Sequence, residues 1–183
     1  MQKQIRRCYS LNLTLKDINS FTKERYIESF GDLFEHSSWI AEAAYHKRPY
    51  DSLEQMYDFM VKEVEQSDND KKMTLLCHHP DLGSRLTMSQ HSVNEQIGAG
   101  LGTLPAAEQQ ELSRDNDRYK GKFGFPFIIA VKGKTPEDIR EALKKRLEHT
   151  PEEEFRTALE QVYLISWYRL TSWMEQNMTE ERV

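Results

Sequence analysis

Cysteine is scarce in this chain: only Cys8 and Cys77 occur in 183 residues, far apart and in no CxxC pair. That excludes a disulfide framework and points to a reducing compartment, with the cytoplasm as the default. Basic excess is missing as well. Lys and Arg number 25 against 30 Asp and Glu, a net charge of -5, so the basic stripe of a nucleic-acid binder is absent. No segment approaches the roughly 18 uninterrupted apolar residues of a membrane span. The N-terminal MQKQIRRCYSLNLTL is basic but lacks the continuous apolar stretch of a secretory signal. Neither a Gly-rich phosphate loop nor a GxSxG nucleophile turn is found.

What the chain does have is helical periodicity, in a length that suffices for one domain with its own core. Phe21, Tyr26, Phe30 and Leu33 fall near helical spacing, with Gly31 as a break; Thr14 or Ser20 starts the region. Trp39, Ile40, Ala43 and Ala44 make an apolar face ending near Pro49. Asp51 is the expected N-cap of a helix to about Gln66 carrying Leu53, Met56, Tyr57, Met60 and Val64 on one stripe. KKMTLLCHH reads as a shorter helix stopped by Pro80, and AAEQQELSRDNDRYKGKF as a polar one anchored by Leu112 and Tyr119. Thr135-Pro136 and Thr150-Pro151 each open a helix with Pro at its first position and acids in its first turn. The first of these helices is expected to run to about His149. Between the polar helix and Thr135, FGFPFIIAVKG holds two breakers, Gly124 and Pro126, and cannot be a helix interior. The expected fold is all-α, a compact bundle of roughly eight helices with one buried extended apolar segment at 123–131. A buried segment with unpaired backbone groups needs partners, and a ligand would supply them. The domain is expected over 1–175, with 176–183 a charged tail or linker.

Chemistry concentrates between Leu76 and Leu101. His79 precedes a proline, which disfavours the α region and marks a helix exit with an exposed imidazole. Ser92-Val93-Asn94-Glu95 matches a capping box that starts the next helix. Gly98, Gly100 and Gly102 on that helix suggest close approach of another backbone. An ordinary loop histidine and an ordinary helix start are the bland readings; a proton-transfer pair is the other. His78, His79 and His91 do not have the spacing of a metal site on helices. On the last helix, Phe155, Leu159, Val162, Ser166, Arg169 and Trp173 form one inward stripe, with Arg169 where an apolar residue belongs. Either Arg169 pairs with a structural carboxylate, or its fork binds an anion.

Taken together, FGDLFEHSSWIAEAA (30–44), HPDLG (79–83), SVNEQIGAGL (92–101), KFGFPFIIAV (122–131) and ISWYRL (165–170) resemble the 2-oxo-4-hydroxy-4-carboxy-5-ureidoimidazoline (OHCU) decarboxylases of urate degradation. The resemblance implies an all-helical, cofactor-independent carboxy-lyase that forms (S)-allantoin and usually works as a homodimer. It makes His79 the catalytic histidine and Glu95 its partner. It places Pro80, Ser92 and Gln96 among the substrate contacts, Phe127 and Ile129 where backbone groups hold the substrate ring, and Arg169 on the substrate carboxylate. The charged tail then reads as a link to a pathway enzyme such as a urate oxidase. Two other classes stay open: a non-catalytic binding module for a small anionic ring, and a helical interaction domain in which Arg169 and Glu95 pair structurally.

Overall fold

The computed structural model describes residues 13–82, 95, 98–101 and 104–177. Eight helices are found there: α1 (Leu15–Ser20), α2 (Lys23–Phe30), α3 (Trp39–Tyr45), α4 (Leu53–Gln66), α5 (Asn69–Cys77), α6 (Ala106–Phe123), α7 (Pro136–Arg146) and α8 (Pro151–Asn177). The described residues contain no strand ladder, as the all-α expectation requires. None of these helices is long and apolar enough to cross a membrane.

Side-chain caps set most of the starts. Thr14 and Asp17 form a reciprocal capping box on α1, and Thr135 and Asp138 repeat it on α7. Thr150 and Glu153 exchange the same two bonds at the start of α8. On α4 the cap is Ser52 rather than the expected Asp51, whose amide instead donates to the Gln55 side chain. Helix α7 stops at Arg146, short of the expected His149, and the Lys122 ammonium donates to the Leu147 and His149 carbonyls beyond it. Gly31 ends α2; a Cβ there would lie 2.5 Å from the Ile27 carbonyl oxygen.

Helix α8, at 27 residues, is the longest of the eight. Its expected stripe is turned inward: Leu159, Val162, Ser166 and Arg169 are buried, with Phe155 and Trp173 half-buried at the ends. Helix α5 crosses one part of it and α6 another, while α2, α3 and α4 pack together around Tyr26, Phe30 and Met60. At the far end of α8 the Asn177 carbonyl accepts from the Leu13 amide at 2.8 Å, so the first and last described residues meet.

Gly124 closes α6 in the left-handed region, φ 81°, where a residue without Cβ is at ease. The chain then runs from 126 to 131 without helix, turn or bend, and Phe125 to Val131 are all buried. This is the buried extended segment read from the sequence, shorter at its start than the expected 123–131 because Phe123 ends α6 and Gly124 is exposed. The close backbone approach expected at the glycines is not met at Gly98, which is exposed with nothing near a built Cβ.

Candidate active site

The end of α5, the segment after α6 and the inner face of α8 converge on one hollow. Its volume is about 30 Å³, and His79, Pro80, Glu95, Phe127, Ile129 and Arg169 are among its walls. Every site residue expected from the sequence that the structure describes is therefore in one place. Ser92 and Gln96 lie outside the described residues. A second hollow of about 420 Å³ adjoins it and shares the walls Glu95, Val131, Ile165 and Arg169.

His79 is not exposed, as its place before Pro80 suggested; only 7% of its surface is accessible. The chain turns inward after α5, and the His79 amide donates to the Leu76 carbonyl at 3.2 Å. Its ring Nδ1 lies 3.0 Å from the Leu75 carbonyl oxygen. A carbonyl can only accept, so Nδ1 carries the proton and Nε2 presents a lone pair. Burial pushes the imidazole down to about 4, while the Leu75 carbonyl and the Glu35 charge work against that shift and Arg169 and His78 add to it. The ring is therefore neutral at neutral pH.

Arg169 is 4% exposed and fully engaged. Its Nε donates to Glu95 Oε1 at 2.8 Å and its Nη2 to Glu95 Oε2 at 3.0 Å, a two-point fork. Nη1 donates to Glu35 Oε2 at 2.8 Å. Burial alone would lower the Arg169 pKa, and the two carboxylates more than offset it. An unpaired guanidinium awaiting an anion is thus not what the site contains. The expected partnership of Glu95 with His79 is likewise replaced, because the Glu95 carboxylate is spent on Arg169. The carboxylate whose field favours a charged His79 is Glu35.

Glu35 escaped the sequence reading although it sits within FGDLFEHSS. It is 1% exposed. The signal was available: a buried Arg on α8 demands a buried anion, and Glu35 follows Leu33 and Phe34 in an apolar turn. A second network was missed too. Arg146 donates through Nε to Glu154 Oε1 at 2.8 Å, the Tyr119 hydroxyl donates to the same oxygen, and His149 Nδ1 lies 2.7 Å from Glu154 Oε2. Among the described residues no group of three or more His, Cys, Asp or Glu side chains is placed to hold a metal.

Comparison with known proteins gives consistent matches. A family model described as OHCU decarboxylase matches residues 19–171. The 2-oxo-4-hydroxy-4-carboxy-5-ureidoimidazoline decarboxylase of Haloferax volcanii is 39% identical over 158 residues, 86% of this chain and 94% of that one. The uric acid degradation bifunctional protein PucL of Bacillus subtilis is 44% identical over 157 residues, 86% of this chain but 32% of its own length. Among solved structures, (S)-allantoin synthase aligns with a TM-score of 0.73 at 34% identity, over 88% of this chain and 53% of that one.

Proposed function

Because the chain belongs to the OHCU decarboxylase family, with the family model spanning residues 19–171, we propose that it decarboxylates 2-oxo-4-hydroxy-4-carboxy-5-ureidoimidazoline to (S)-allantoin in urate degradation. His79 is the proton carrier in this reading. One observation carries that role: a buried, neutral imidazole, its Nδ1–H fixed on Leu75 and its lone pair left on Nε2, lines the same hollow as Arg169, Glu95, Phe127 and Ile129.

A neutral imidazole starts as a base. Nε2 takes the proton of the substrate hydroxyl, and the carbon–carboxylate bond breaks to release CO2, leaving its electron pair on the ring. The proton on His79 then passes to a ring carbon from one face, which sets the configuration, while the former hydroxyl oxygen becomes a carbonyl. One further proton comes from solvent, since a carboxylate is replaced by C–H. Such positioned proton transfer accelerates a reaction by about 10²–10⁴.

Arg169 holds the substrate carboxylate once Glu95 yields its place on the fork. Glu95 is the partner that can move, being 30% exposed in its side chain, whereas Glu35 at 0% stays and keeps the guanidinium in position. The released Glu95 then faces His79 and the ring. Pro80 packs on the substrate, and Ser92 and Gln96 complete its polar contacts. The backbone groups of Phe127 and Ile129 make no hydrogen bond among the described residues and suit a ring that carries amide-like donors and acceptors. The bifunctional relative bears such a domain within a longer uric-acid-degrading chain, so a covalent or pathway link to urate oxidase fits the same reading.

The test is an ultraviolet assay of freshly oxidised urate with the parent protein and His79→Ala. The parent should speed the appearance of (S)-allantoin, and His79→Ala should remove nearly all of that acceleration while keeping its helical signal. A variant that works at close to the parent rate would remove His79 from the mechanism. A pure binding module predicts tight retention of the ring without turnover by either protein.

A further inference from the structure

We propose that Gln161 and Arg146 are positioning residues for this reaction, which grip one edge of the 125–131 segment and thereby set where its other edge meets the substrate. The inference rests on the decarboxylase reading above. In a chain that runs without turns, neighbouring residues present their backbone groups to opposite sides. On this segment the alternate positions are held from outside. The Ile128 carbonyl accepts from Arg146 Nη1 at 2.6 Å, and the Ala130 amide donates to Gln161 Oε1 at 3.1 Å. The intervening Phe127 and Ile129 line the His79 hollow, and their backbone groups make no hydrogen bond among the described residues.

The grip is itself anchored. Arg146 is fixed by Glu154, which is 0% exposed, and its guanidinium lies over the Phe127 ring at 4.6 Å. Glu154 is in turn held by Tyr119 from α6 and by His149. A buried ion pair adds little net stability over apolar packing of the same volume. What this one contributes is a fixed position for one carbonyl, and hence for the amides on either side of it. Gln161 makes the same kind of contact from α8, two turns before Arg169, so one helix places both the segment and the guanidinium.

Gln161 supplies the cleaner test, since removing Arg146 strands Glu154 and threatens folding. Gln161→Met deletes the acceptor at similar size, and Gln161→Glu restores an acceptor oxygen. With freshly oxidised urate, Gln161→Met should raise KM about fivefold, the worth of one hydrogen bond, with kcat within about twofold of the parent. Gln161→Glu should bring KM back towards the parent value. A purely structural bond would lower Tm and leave KM alone, and that result overturns the proposal. So does an equal rise in KM for both variants, because the acceptor would then not be the cause. An active parent with an unaffected Gln161→Met sinks the grip alone; an inactive parent sinks the decarboxylase reading and the grip with it.

Discussion

In the proposed mechanism the proton affinity of His79 is the property on which the chemistry turns, and it has a measurable signature. A base with a pKa near 4 is ready over the whole neutral range, so kcat/KM should stay flat as pH falls from 8 towards 5 and decline only near 4. An acid limb centred at 6.5 would contradict the buried setting. Stability carries the same information with a defined sign. The folded pKa lies below the unfolded one, so protons favour the unfolded chain; the contribution is complete above about 6.5 and is lost as pH falls towards 4. Arg169 gives the second expectation at this scale. Arg169→Met leaves Glu35 and Glu95 without their cation and should cost about 3–5 kcal/mol in chemical denaturation, together with most activity. Equal stability of the variant would show that the three charges do not hold one another. The sequence placed Arg169 facing inward and offered Glu95 as a structural partner, which the fork bears out, but it did not offer Glu35. Helical periodicity places a side chain on a face, whereas Glu35 comes from a turn more than a hundred positions away, which no periodicity connects to α8.

Among the elements, what could be read in advance follows from local physics. The Thr135 and Thr150 starts, the polar helix 106–123 and the arrest of α5 before Pro80 are all fixed by residues within one turn, and all were legible. The choice between Asp51 and Ser52 was not, because either residue can cap and tertiary packing selects the one used. The 123–131 segment was recognised by exclusion, through Gly124 and Pro126, but its outer supports Arg146 and Gln161 are contributions of distant helices. Gly124 is the joint between helix and segment, and it tests whether the joint is strained. Gly124→Ala meets no atom within 4 Å, so any cost comes from φ 81° alone. The expected loss is about 1 kcal/mol, read as a lower urea midpoint at unchanged slope. No shift at all would mean that the backbone relaxes there freely.

Across the whole molecule, the candidate active site depends on long-range convergence: the end of α5, a non-helical segment and the middle of α8 bring His79, Phe127 and Arg169 to one hollow. Family resemblance made that convergence readable where composition and spacing alone left a proton-transfer pair, a binding module and an interaction domain all open. The bond between the Leu13 amide and the Asn177 carbonyl has a different kind of consequence. The described chain begins and ends at a single point, like a loop of cord tied at its knot. Whatever polypeptide is joined there, before or after, leaves from the same spot. Ends that lie this close together are of the kind that tolerate attachment to a neighbouring domain from either side.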